Sequence, residues 1–161
     1  MKPKILLILF SLVLLFGCSN NDDGLTDGVE TFILRPETKI VAPPQGSGNN
    51  VTFTEGDKIV FHYSLQRPEN PDRSDDELTE NIVFEIDSNL NTFDYSNQEL
   101  IPLLTYYFES CFCLHEVVEI ISGHVSGQKI NETKWNLTLI LNISLQGSTI
   151  TKNISGDFLS L

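Results

Sequence analysis

The sequence predicts an all-β protein: an antiparallel β-sandwich, Ig-like or related, with one short helix near residues 97–109. Three observations carry this. Residues 135–146 alternate for twelve positions, with Trp135, Leu137, Leu139, Leu141, Ile143 and Leu145 on one side. That is a strand with one face in a core and one in water. Other short runs rich in Ile, Val, Phe and Thr are punctuated by Gly, Pro, Asn and Asp, as strands and turns are. Nothing resembles the alternation of strand and helix that builds a parallel α/β sheet. Apolar residues make up 40% and charged residues 20% of the 161, which suits one buried core and excludes both a disordered tail and a multi-span membrane protein.

The elements follow in order. Thr31–Arg35 and Thr38–Val41 are short strands around Pro36. Ala42–Asn50, with two prolines and two glycines, is a loop. Val51–Thr54 leads through Glu55-Gly56-Asp57, a turn signal, into Lys58–Leu65. That strand sets Ile59, Phe61 and Tyr63 on one face and Val60, His62 and Ser64 on the other. Residues 66–80 form a polar loop carrying Asp72, Asp75, Asp76, Glu77 and Glu80; it lacks the glycine and spacing of an EF-hand and reads as solvated. Ile82–Ile86 is the next strand. Ser96 and Glu99 have capping-box spacing, and Leu100, Leu103, Leu104, Tyr107 and Phe108 recur at helical intervals, so 97–109 is read as helix despite Pro102. Glu116–Ser122 is apolar and β-branched. Gly123, Gly127 and the polar run to Lys134 are read as breaking the chain into short pieces. After the long alternation, Gln146-Gly147-Ser148 turns the chain, Thr149–Ile154 pairs back, and Asp157–Leu161 is a short last strand. A barrel is the alternative closure.

Charge narrows the function classes. There are 22 acids against 10 bases, a formal charge of −12, which excludes a nucleic-acid binder that must displace phosphate counterions. No phosphate-binding glycine loop, nucleophile elbow or zinc-protease helix occurs, and the chain is read as a non-enzyme.

The N-terminus reads as an address. Lys2 and Lys4 precede a twelve-residue apolar run, Ile5–Phe16, interrupted by Ser11. A bilayer-spanning helix needs roughly 20 apolar residues, whereas this run has the length of a secretory signal core. It ends in Leu15-Phe16-Gly17-Cys18, which resembles the lipobox of bacterial lipoproteins. Phe16 is bulkier than the residue usual at its place. The resemblance implies cleavage between Gly17 and Cys18 and a diacylglycerol on Cys18. The stretch Ser19-Asn20-Asn21-Asp22-Asp23-Gly24 resembles the acidic export signal of surface lipoproteins of Bacteroidota. Together these imply residues 1–17 as signal peptide, 18–29 as a flexible acidic tether, and 30–161 as one β-rich domain at the outer membrane, on the cell surface. Asn21, Asp23, Gly24, Asp27 and Glu30 also fall at EF-hand positions, but Ser19 stands where the first aspartate belongs, and a solvated tether is the reading kept. Without residues 1–17 and their two lysines the chain has 144 residues, 22 acids and eight bases, a formal charge of −14.

Cys111-Phe112-Cys113-Leu114-His115 is the one cluster with redox or metal potential. In an extended chain the three side chains share a face. With Cys18 lipidated, Cys111 and Cys113 remain in an oxidising compartment, where a disulfide is one reading, strained if the segment is a flat strand. Two thiols are another. A zinc or copper site with His115 is the third, with His62 or His124 approaching to complete it. His62, beside aromatics, reads by itself as a partly buried, hydrogen-bonded histidine. Gly56–Tyr63 also resembles the first strand of FKBP-type prolyl isomerases, without their downstream aromatic and glycine pattern.

The chain resembles the small surface lipoproteins of Bacteroidota. The implied function is a lipid-anchored, non-enzymatic binding or envelope accessory protein, with no cofactor beyond the lipid and with a protein or small molecule as ligand. The alternative is metal or haem capture through Cys111, Cys113 and His115. On the disulfide reading, metal titration of the purified protein shows no stoichiometric binding. One equivalent bound overturns that reading in favour of the metal site.

Overall fold

A computed structural model describes residues 28–42, 51–67, 78–110, 117–145 and 147–160. The chain is all-β, with eleven strands among the described residues. In order they are β1 (Val29–Arg35), β2 (Thr38–Val41), β3 (Thr52–Glu55), β4 (Lys58–Gln66), β5 (Thr79–Asp87) and β6 (Thr92–Ser96). A 3₁₀ helix (Asn97–Leu103) precedes β7 (Tyr106–Ser110), β8 (Val117–Glu119), β9 (Gly123–Asn131), β10 (Lys134–Leu145) and β11 (Ser148–Ser160).

Nine strands form one sheet in the order β6-β9-β10-β11-β1-β4-β5-β7-β8, and β2 and β3 form a separate hairpin. The sheet curls so that its two halves face each other like the layers of a sandwich. The halves join where β1 runs parallel to β11, with Ile33 opposite Leu159. The other pairings are antiparallel. The sheet is therefore mixed, and a single sheet supplies both layers.

The core lies between the halves, and the strand alternations aim at it. β10 buries Trp135, Leu137, Leu139, Leu141 and Ile143; β4 buries Ile59, Phe61, Tyr63 and Leu65; β5 buries Ile82, Phe84 and Ile86. Phe61 meets the Trp135 ring edge-on at 5.6 Å and Phe158 at 5.5 Å. Such pairs add about 0.5–1.5 kcal/mol beyond the area they bury. The open side between β6 and β5 is plugged by Leu100 and Leu103 of the 3₁₀ helix, both buried.

A second, smaller cluster forms on the outer face. The β2–β3 hairpin lays Ile40 over Val60 and Val83, with Val51, Tyr106 and Phe108 around them. β5 is thus covered on both faces, which explains its unbroken apolar run Ile82-Val83-Phe84.

Several expectations are corrected. The helix over 97–109 is a seven-residue 3₁₀ helix followed by a strand. Pro102 lies inside it, and Leu104 ends it in the left-handed region at φ 48°. Pro102 has no N–H to continue a helical ladder, so Tyr107 and Phe108 fall into β7 and point to opposite faces. Residues 123–131 are one continuous strand. Its glycines mark close approach, which is the other meaning of a strand glycine. A Cβ on Gly127 would stand 2.5 Å from the Phe93 ring, and one on Gly123 would stand 2.3 Å from the Ile140 carbonyl oxygen. Residues 148–160 are likewise one strand, where two were expected. β4 and β5 reach further than expected, and Glu80 lies in β5, outside the polar loop. β6 has no counterpart among the expectations. Of the loops expected at 42–50 and 66–80, residues 43–50 and 68–77 lie outside the described residues.

Gly123 is where the chain crosses between the halves. It leaves β8, the Ile120 N–H donates to the Thr105 carbonyl at 2.7 Å, the Ser122 carbonyl accepts from the Asn142 N–H at 3.0 Å, and β9 begins. Gly123 takes φ +138° there, a conformation closed to side chains. Gly123→Ala is expected to cost at least about 2 kcal/mol, read as a lower urea midpoint with unchanged slope.

Candidate functional site

Two groups of titratable side chains among the described residues have buried members, one at an end of the core and one on the outer face. The first is built by register. Glu30 on β1 aligns with Leu65 on β4, Leu65 with Glu80 on β5, and Glu80 with Glu109 on β7. All sit two residues beyond core positions, so their side chains line the end of the space between the halves.

Glu80 is the buried member, its side chain 5% exposed. One carboxylate oxygen accepts from Arg67, through Nε at 2.9 Å and through Nη2. The other accepts from Lys152, which reaches across from β11. Burial alone would raise the Glu80 carboxyl, but the hydrogen bonds and charges of Lys152 and Arg67 outweigh it and hold the group below its ordinary value. Tyr63 donates its hydroxyl to Glu30 at 2.8 Å and Tyr107 donates to Glu109 at 2.5 Å. Burial first, then these carboxylates, push both phenols above the normal tyrosine range. Every group here has its partner, and the phenols keep their protons at neutral pH. The arrangement closes the core's end; it does not hold a reactive proton.

The second place is a cleft of about 430 Å³ between the end of β1 and the β2–β3 hairpin. Pro36 and Glu37 turn the chain from β1 into β2, with Glu37 at φ 49°. The hairpin is pinned over the sheet by Ile40 N–H donating to Glu85 Oε2 at 2.7 Å and by Gly56 N–H donating to the Glu37 carbonyl at 3.0 Å. Ile33, Leu34, Pro36 and Phe53 give the cleft apolar walls, and Arg35 and Glu55 give it charge. The Arg35 guanidinium lies over the Phe53 ring at 5.0 Å. Its Nε is buried and has no hydrogen-bond partner among the described residues.

His62 lies behind Phe53, ring centres 5.8 Å apart. The Asn81 amide nitrogen donates to the Thr79 carbonyl at 3.1 Å, leaving its oxygen to accept from His62 Nε2 at 2.9 Å. That assigns the imidazole proton to Nε2 and leaves Nδ1 a bare acceptor, buried and unpartnered. Burial, then the nearby Arg35 charge, hold His62 below its usual pKa against the opposing Asn81 bond. The ring is therefore neutral at pH 7, and Arg35 is the one cation among the described residues that line the cleft.

The residues singled out in the sequence fare differently. Gly17, Cys18, Cys111, Cys113 and His115 lie outside the described residues. His62 is half-buried and hydrogen-bonded, as expected. His124 faces outward on β9 and pairs with Asp94 at 2.8 Å. His62 and His124 project from the outer faces of opposite halves, so they do not converge on one metal. Among the described residues no three His, Cys, Asp or Glu side chains are grouped to hold a metal ion. Sequence reasoning missed Arg35 and Phe53, and it placed Glu80 in a solvated loop instead of a buried strand position. Arg35 is one of three arginines in an acidic chain, a scarcity that marks it, but nothing local shows it to be unpaired.

No protein-family model, no curated protein and no solved structure matches the chain.

Glu80 supplies a pH test. A carboxylate held below its unfolded pKa contributes stability that is present above the ordinary value of 4.5 and is lost as pH falls through the folded value. Glu80→Gln is expected to cost roughly 1–3 kcal/mol at pH 7. Urea melts across the acid range should show that difference shrinking below pH 4.5.

Proposed function

We propose that the chain is a lipid-anchored lipoprotein of the outer membrane, displayed at the cell surface, whose β-rich part binds a ligand without catalysing a reaction. The observation that carries the proposal is Leu15-Phe16-Gly17-Cys18 at the end of a short apolar run behind two lysines. One acyl chain holds a protein to a membrane only marginally, whereas two or more hold it stably, at about 0.8 kcal/mol per buried methylene. A formal charge of −14 on the processed chain suits a soluble body kept off an anionic surface.

The two polar places support the division between structure and binding. At the core's end Glu80 is neutralised by two bases and the phenols are fully engaged, so nothing there is poised as a nucleophile or base. The outer cleft is open and carries one polar atom, Arg35 Nε, without a hydrogen-bond partner among the described residues. It also lies at the favourable end of the strand. β1 leaves the anchor side at Val29 and reaches the cleft at Arg35, roughly 20 Å further on at the rise of an extended strand. A cleft so placed is directed away from the point where the tether enters.

Cys18→Ala tests the anchor. The variant should lose fatty-acid labelling and leave the outer-membrane fraction. Unchanged labelling together with unchanged fractionation overturns the proposal.

A further inference from the structure

We propose that the cleft between β1 and the β2–β3 hairpin binds a small monocarboxylate with an apolar body, its carboxylate paired with Arg35. The inference rests on the binding reading above and names the ligand's chemistry.

Charge pairing comes first. Lys58, Arg67, Lys129, Lys134 and Lys152 each hold an acid. Arg35 and Lys39 hold none among the described residues, although acids outnumber bases about two to one; Lys39 is exposed to water, whereas Arg35 is half-buried. Glu55 lines the same cleft and makes no ion pair with it. An arginine left single in so acidic a chain, with a buried Nε–H that nothing among the described residues accepts, is a donor awaiting an acceptor. An orphaned buried donor is costly, and a ligand oxygen that accepts from the guanidinium offsets that cost.

Geometry comes next. Phe53 lies against the guanidinium, 5.0 Å from its central carbon, and a guanidinium held against a ring can still offer its terminal N–H groups to an anion. Those groups match a carboxylate's two oxygens.

The number of charges selects among anions. Among the described lining residues Arg35 is the one cation and Glu55 the one acid, while His62 behind them is neutral. A single cation beside an acid suits a monoanion over a phosphate dianion. The walls select the body: Ile33, Leu34, Pro36 and Phe53 present carbon, and about 430 Å³ falls in the range of small-molecule sites. Leu159, opposite Ile33 on β11, is 49% exposed and extends the apolar surface beyond the cleft.

The test is calorimetric titration of the full lipidated protein in detergent with hexanoate and phenylacetate. Hexanamide and phenylacetamide serve as neutral controls and inorganic phosphate as the dianion. Wild type should bind at least one of the carboxylates saturably. Arg35→Met should weaken that binding about tenfold or more, and Arg35→Lys, which keeps the charge and loses the fork, should fall between. Circular dichroism verifies that both variants are folded, and micelle partitioning cancels in the comparison. Carboxylates that fail to saturate, or that bind folded Arg35→Met as well as wild type, overturn the proposal. If the amides or phosphate saturate wild type and the carboxylates do not, the ligand class falls and the binding reading stands. If no probe binds, the cleft falls with it, while the anchor is judged separately by Cys18→Ala.

Discussion

Phe61 is the residue on which both halves of the sheet close. It stands mid-way along β4 and stacks on Phe84 of the neighbouring strand at 5.0 Å. Across the core it meets Trp135 and Phe158 edge-on and Phe93 at 6.0 Å. These partners come from β5, β10, β11 and β6, so one fully buried ring ties together strands of both halves of the sheet. The curl of the sheet, the parallel seam between β1 and β11, and the plug of Leu100 and Leu103 all arrange themselves around that packing. Without it the nine strands would present two unprotected apolar faces.

The packing also sorts the polar groups. Where the core runs out, Glu80 sits deep enough to need neutralising, and Arg67 and Lys152 come from β4's end and β11 to do so. Burying that carboxylate with only one base would leave it poorly compensated, and such charges are costly. On the outer face the constraint is weaker. The β2–β3 hairpin covers Val60 and Val83 but stops short of the end of β1, and the uncovered margin becomes the cleft. Arg35 and His62 are thus unsatisfied at the edge of a cover that is only four residues wide on each strand.

Strand faces were legible because they are local. The alternation from Trp135 to Leu145 gives β10 its length and its buried side, and Ile59, Phe61 and Tyr63 were separable from Val60 and His62 before any fold was known. The segment after Ser96 was less legible. Its leucines recur at helical spacing, but Pro102 and the left-handed Leu104 end the turn early, and Tyr107 takes its place from the strand it pairs with. Gly123 and Gly127 were misread for a related reason. A strand glycine signals either a break or a close approach, and only the position of Ile140 and Phe93 decides which. The candidate cleft was hardly legible at all. His62 could be noted as an aromatic-flanked histidine, but Arg35 looked like any cation at a strand end, because its lack of an acidic partner is a property of the space around it.

By itself the sequence determined the β class, most strand positions and which residues of each strand face inward, since these follow from a period of two along the chain. It also carries, in residues 1–18, the features from which the anchor is inferred. Tertiary structure decided which strands are neighbours: Ile33 lies against Leu159, and Glu80 meets a lysine 72 residues away. It decided too that one sheet forms both layers and that Arg35 faces a cleft without a counter-ion. Pairings over such separations are fixed by how all the strands pack at once, and local periodicity holds no record of them.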